Sequence, residues 1–239
     1  MATAMVAHIF YPDLMPEVLA CLEHLPAGSH CHLTAPPDVA ARLPSAIFAR
    51  GDVTLHAAEN RGRDIAPFLA LLRSGSLNDY DAVLKVHTKR SPHLPHGEAL
   101  RKALFASLAG RASVVSRILR QMRDPAVGMV GWRRVFMTAK RQWHTNRERV
   151  EDLARRLDPP AEPRLAFFGG SMFWFRPKAL GSVARSLIRQ EDFEPEAGQI
   201  DGTLHHALER CFAIAAAASG YSVRDTHGRV LIEPGPAAG

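Results

Sequence analysis

Short apolar runs alternate with stretches of helical periodicity between residues 6 and 87, and this alternation leaves few folds open. The run 6–11 is rich in β-branched and aromatic residues and closes on Pro12, as strands often do. In 15–25 the apolar residues Val18, Leu19, Leu22 and Leu25 follow a helical spacing, and Pro16 suits a first turn. Residues 29–34 and 51–56 read as two further strands, with a short helix at 39–43 between them. A helix at 65–72, carried by Ile65, Phe68, Leu69 and Leu72, and a strand at 80–87 complete this half. Repeated units of this kind predict an α/β fold with a mixed, mainly parallel sheet flanked by helices.

The rest of the chain extends the pattern. A helix over 98–122 with a bend at Gly110, strands at 127–131, 171–175 and 220–223, and helices at 146–157, 178–188 and 202–218 are expected. The stretch 93–97 reads as a Pro/His-rich connection and 158–163 as a loop or flap. The length of 239 residues suits one substantial core. We expect a single domain over 1–232 and a flexible tail over 233–239.

Apolar residues make up 46% of the chain and charged residues 23%, a globular balance. No run of apolar residues is long enough to span a bilayer, and the N-terminus lacks the features of a signal peptide. Three scattered cysteines, Cys21, Cys31 and Cys211, predict buried or free thiols rather than a disulfide framework or zinc site. A cytoplasmic protein is therefore expected. The formal charge of +6 suits nucleic acid, an anionic membrane surface or a phosphate-bearing substrate, and equally a solvated basic face.

Two stretches concentrate polar groups where a β-α fold places ligands. Asn60, Arg61, Gly62, Arg63 and Asp64 form a hook just before the helix at 65. The hook has neither the Gly-Lys-Ser/Thr of a Walker loop nor the three glycines of a dinucleotide fingerprint. Its guanidiniums at a helix start would still suit a diphosphate, while Asp64 could equally be an N-cap. The strand at 80–87 ends in Lys85, His87, Thr88, Lys89 and Arg90, at the strand end where such folds bind ligands. Lys85 and His87 should point the same way because the strand period is two. A metal at His87 is disfavoured by the neighbouring cations. Carboxylates gather instead at Glu194, Glu196 and Asp201, ahead of a helix bearing His205, His206 and Glu209. Asp201 could cap that helix or serve as a general base. Phe173 and Trp174 could stack on a sugar or fill the core.

The hook, the stretch from Lys85 to Ser91, the stretch from Gly169 to Pro177 and the stretch from Gly198 to Arg210 together resemble the motif series of the rhamnan-synthesis protein F family. The resemblance runs from about Val6 to Val223. It implies a role in rhamnose-containing cell-wall polysaccharide or lipopolysaccharide O-antigen assembly. That family in turn resembles GT-A glycosyltransferases, so a GT-A-like, Rossmann-like sheet is implied.

Where the broader group carries an Asp-x-Asp metal motif, this chain carries Lys85, Val86 and His87. The resemblance therefore implies metal-independent, inverting transfer of a deoxyhexose, rhamnose by expectation, from a nucleotide-diphosphate sugar to a glycan or lipid-linked glycan. Asp201 takes the base role by this likeness. Asn60, Arg61, Gly62, Arg63, Asp64, Lys85, His87, Thr88 and Lys89 would hold the donor. Gly169, Gly170, Ser171, Trp174, Glu196 and His205 would face the acceptor. No cofactor and no nucleic-acid partner are expected. The basic segment 132–156 suits peripheral contact with an anionic membrane at the inner face of the plasma membrane. A non-catalytic nucleotide-sugar or glycan-binding module is the alternative.

Overall fold

A computed structural model describes residues 1–90 and 96–235. The part of the expected 93–97 connection before His96, and the tail beyond Gly235, lie outside the described residues. The first half is built from β1 (Thr3–His8), α1 (Met15–Glu23), β2 (His30–Ala35), α2 (Pro37–Ala40), α3 (Ser45–Phe48), β3 (Val53–Ala57), α4 (Ile65–Ser74), β4 (Ala82–His87), α5 (Gly97–Ala109) and α6 (Ala112–Met122). The second half adds β5 (Val127–Gly131), β6 (Phe136–Met137), α7 (Arg147–Arg156), β7 (Phe167–Phe168), β8 (Phe173–Phe175), α8 (Gly181–Ala184), α9 (Leu204–Ala218), β9 (Ser222–Asp225) and β10 (Val230–Ile232).

Eight strands form one sheet in the order β10-β9-β5-β8-β4-β1-β2-β3. Strands β3, β2, β1 and β4 run parallel, as do β5 and β9, while β8 and β10 run against their neighbours. This is the α/β, mainly parallel sheet expected from the alternation, and the Rossmann-like sheet implied by the resemblance. Because β8 is antiparallel, the turn that precedes it sits at the carboxyl end of β4, where Lys85 pairs in register with Phe173. Parallel strands deliver ligand-facing loops at that edge.

Strand β8 shows how the sheet is covered on both faces. Trp174 is fully buried and donates its indole N–H to the Leu108 carbonyl of α5 at 3.0 Å. Phe173 and Phe175 point the other way, edge-on to Phe68 of α4, and Phe173 also meets Phe212 of α9. The alternation along three residues follows the strand period. All three cysteines are buried and unpaired, and burial pushes each thiol up to about 12.

Several expected elements shift or dissolve. The first strand lies three residues earlier than 6–11, because β1 must pair in register with β2 and β4. The helix 98–122 is two helices: Arg111 is extended at the break, and a Cβ on Gly110 would lie 2.5 Å from Ala106. The helix 178–188 is reduced to a 3-10 turn and α8, because Arg73 of α4 takes the carbonyls of Ala184, Ser186 and Ile188. A guanidinium that collects alternate carbonyls replaces the amides a helix would have used. The ribbon β6–β7 and the edge strand β10 were not anticipated; each has two or three residues, too short for a period to show. At the start of the expected tail, Gly235 donates its amide to the Ala217 carbonyl. Among the described residues no helix is long and apolar enough to cross a membrane.

Four buried histidines make the fold sensitive to acid. Burial lowers His8, His32 and His205 to about 4 and His87 to about 3, from 6.5. The folded chain holds them neutral, whereas the unfolded chain takes up protons near 6.5. Stability is fully present above that value and falls as pH drops toward 4. Each contributes about 1.4 kcal/mol per pH unit in that window. Urea midpoints measured at successive pH values should fall steeply below 6.5. A flat profile down to pH 5 would contradict the neutral, buried state.

Candidate functional site

Asp64 stands at the N-cap position of α4, yet its side chain makes no capping bond. Its Oδ2 instead accepts the Lys85 ammonium at 2.5 Å. Lys85, 1% exposed, donates its remaining N–H groups to the carbonyl and hydroxyl of Ser171 at 2.8 and 2.9 Å. All three donors of the ammonium are therefore used. The Phe68 and Phe173 rings lie 5.1 and 5.8 Å from the nitrogen and exclude water from the pair. His87 emerges on the same face as expected, with Nδ1 3.3 Å from the same Asp64 oxygen, at an angle that makes no hydrogen bond. Burial alone would raise the Asp64 carboxyl, but the imidazolium that His87 becomes in strong acid, together with the Lys85 ammonium, outweighs it and holds the group far below the usual range.

The local backbone is bent to make this cluster. Arg63 and Ser171 both have left-handed φ, 53° and 52°. A side chain in that region costs roughly 1–3 kcal/mol, and each of these residues adjoins one partner of the buried pair. Gly62, with φ 70°, cannot be replaced cheaply, since a Cβ there would meet Ala66 and Phe193 at 2.6 Å. Gly169 is similarly closed, 2.6 Å from Met137, while Gly170 opens toward Lys89.

The cations expected to cradle a diphosphate are largely committed within the protein. Arg61 donates to the carbonyls of Phe193 and Glu191. Arg63 pairs through two nitrogens with Glu196 at 2.9 and 3.0 Å and also reaches the Gln199 carbonyl. The hook thus ties down the 191–199 loop. Thr88 is buried, and its hydroxyl accepts the amides of Phe10 and Tyr11; it clips the chain leaving β1 and has no face for a donor. Asn60 is exposed and Lys89 half-buried, and among the described residues neither side chain forms a hydrogen bond or salt bridge.

The acceptor-side residues divide in the same way. Ser171 holds Lys85, Glu196 holds Arg63, and Trp174 is core, so none of the three presents a free group. His205 is buried against the Thr203 hydroxyl at 2.9 Å. Asp201 is saturated: one oxygen accepts the Thr145 amide and hydroxyl at 3.1 and 3.0 Å, the other Asn146 at 2.5 Å and Arg210 at 3.2 Å. Burial would raise its carboxyl, but the Thr145 donors, Arg210 and His206 bring it below the ordinary range. A carboxylate with four donors and a depressed pKa is a weak base.

Sequence reasoning left Glu209 without a role. This carboxylate, on α9, accepts the Gly170 amide at 2.7 Å, and burial pushes it up, with Lys89 as the leading opposing charge. Its signal was the spacing of Glu209 one helical turn beyond His205 and His206, on a helix that returns to the sheet edge. The donor set does not fit a divalent ion: one carboxylate, Asp64, already meets an ammonium, and among the described residues no three potential ligands gather. An open, mainly apolar groove of about 250 Å³ between α1 and α5 is lined by residues such as Ala20, Cys21 and Phe105 and includes none of these polar groups.

The buried pair yields a direct test. Lys85→Met leaves Asp64 without its ammonium and should destabilise the fold by about 3–5 kcal/mol. Combining it with Asp64→Asn should restore at least half of that loss in thermal or urea unfolding. Additive losses in the double variant would show that the two groups are not coupled.

Over residues 1–221 the chain matches the family model for rhamnan synthesis protein F. It is 30% identical over 239 residues to the uncharacterised protein WxcX of Xanthomonas campestris pv. campestris strain B100, an alignment covering 99% of this chain and 34% of that protein. The WxcX protein of strain ATCC 33913 matches with the same identity and coverage. The chain thus spans about a third of the length of these curated relatives. With its motifs carried on the expected sheet edge and matched over nearly its whole length, the chain belongs to the rhamnan synthesis protein F family.

Proposed function

We propose that the protein is a GT-A-like glycosyltransferase of rhamnan-type polysaccharide assembly. It moves a deoxyhexose, rhamnose by preference, from a nucleotide-diphosphate sugar to a glycan acceptor with inversion and without a dedicated metal. Family membership supports the polysaccharide context. The observation that carries the chemistry is Glu209, a raised carboxyl held by the Gly170 amide beside Lys89 at the carboxyl edge of the sheet.

In this reading Glu209, rather than Asp201, takes the proton of the acceptor hydroxyl as that oxygen attacks the anomeric carbon. The bond from the anomeric carbon to the β-phosphate oxygen breaks, and the nucleoside diphosphate leaves with the electron pair. Lys89 meets the charge that develops on the leaving group, a stabilisation worth most where water is excluded. The Asp64–Lys85 pair positions the β4 end and the Gly169–Gly170 turn without touching the sugar. Asp201 fastens the 200s loop to the segment at Thr145.

A second reading is supported by the committed state of Arg61, Arg63 and Lys85. With those cations tied to partners in the protein, the domain suits a non-catalytic nucleotide-sugar or glycan-binding module within a longer synthase.

Release of nucleoside diphosphate across a panel of nucleotide-deoxyhexoses separates the two. Turnover should persist in EDTA, and Glu209→Gln should lower kcat by roughly 10²–10⁴-fold at unchanged fold. Asp201→Asn should act mainly on stability. Loss of all activity in EDTA would remove the metal-free mechanism, and full activity in Glu209→Gln would remove the base. Calorimetric binding of nucleoside diphosphate with no turnover would favour the module.

A further inference from the structure

The positive charge of this chain is unevenly placed. Residues 132–146 contain four cations and no carboxylate. The segment leaves the carboxyl end of β5, so it starts at the same sheet edge as the cluster around Lys85. Arg133, Arg134, Lys140 and Arg141 are exposed, and among the described residues none of the four enters a salt bridge. The cations just beyond behave differently: Arg147 pairs with Glu151 at 2.8 Å and Arg149 with Glu194 at 2.5 Å.

An exposed apolar residue is held against this segment. Ile200 is 83% exposed, yet it does not sit on a loose tip. The neighbouring Asp201 carboxylate binds Thr145 and Asn146, Arg63 holds the Gln199 carbonyl, and Gly198 and Gly202 take left-handed φ on either side. Arg210 further joins Asp201 to the Gln142 carbonyl. The fold therefore fixes an outward aliphatic side chain on the turn tied to residues 142–146, directly after the exposed Lys140 and Arg141, which costs solvation without an evident gain inside the protein.

We propose that the exposed segment carrying Lys140 and Arg141, with Ile200 held to it, docks on an anionic phospholipid bilayer. Cations near such a surface are attracted to its headgroups, and an aliphatic side chain beside them enters the boundary with the acyl chains. A single-stranded nucleic acid has no use for the isoleucine. It would instead call for exposed aromatic rings, and Trp132 and Trp143 are half-buried. The inference stands without the transferase reading. Where that reading holds, the bilayer would lie beside the edge that receives the acceptor.

Co-sedimentation of the full chain with phosphatidylcholine vesicles, with and without phosphatidylglycerol, tests the proposal at low and raised salt. Binding should require phosphatidylglycerol and weaken with salt. The Lys140→Glu, Arg141→Glu double variant should reduce partitioning at least roughly twentyfold. Ile200→Ser should reduce it roughly tenfold. Arg120→Glu and Leu187→Ser, exposed changes elsewhere, should leave it unchanged, with circular dichroism confirming that each variant is folded. The proposal is overturned if the wild-type chain ignores phosphatidylglycerol vesicles at low salt, or if the control variants lose as much binding. It is equally overturned if single-stranded DNA binds more tightly at matched salt while Ile200→Ser has no effect.

Discussion

An ammonium and a carboxylate removed from water stand at the centre of this molecule. Lys85 and Asp64 meet at 2.5 Å beneath two phenylalanine rings, with Ser171 completing the lysine's shell. Taking two charges out of water costs several kcal/mol per ion before their attraction is counted (roughly, in real proteins). Such a pair persists only where geometry and hydrogen bonding are complete. Here they are complete because three separated stretches converge: the hook before α4, the end of β4 and the turn before β8. The left-handed residues Arg63 and Ser171 bring the outer two into place.

The rest of the sheet edge is arranged by the same logic of paired charge. Arg61 and Arg63 reach across to the 191–199 loop, Asp201 fastens that loop to Thr145 and Arg210, and Glu194 accepts both Arg149 and the Leu204 amide at the start of α9. Motif residues far apart in sequence thus serve one another before they serve any ligand. Among the described motif residues, Asn60 and Lys89 keep side chains without such partners, beside the Gly170 opening and Glu209, whose carboxyl burial raises and whose one recorded donor is the Gly170 amide. Internal ties of this kind hold the edge in one arrangement, the preorganisation that polar groups at such an edge would need to act on a ligand.

The α/β architecture was legible in residues 6–87 because strand and helix periods differ so plainly there. Lys85 and His87 were placed on one face by the strand period alone, and they share that face. Helix α4 and strand β5 begin where the sequence puts them, at Ile65 and Val127. Less legible were elements governed by distant partners. The 178–188 helix gives way because Arg73, more than a hundred residues earlier, takes its carbonyls. The oxygens of Asp201 are filled by Thr145, Asn146 and Arg210, partners that its position ahead of a helix does not announce. A carboxylate ahead of a helix looks the same in sequence whether its lone pairs are free or filled.

By itself the sequence determined the fold class, the position of the polar hook and strand end, the thiols without disulfides and the family, since each rests on local periodicity, composition or contiguous motifs. Tertiary structure alone decided which charged groups are spent on one another. It gave Arg61, Arg63, Lys85 and Thr88 partners within the protein, sent Trp174 into the core and brought Glu209 to Gly170. The physical reason is that hydrogen-bond saturation and burial depend on what the folded chain brings within about 3 Å, and that neighbourhood is set by topology rather than by spacing along the chain.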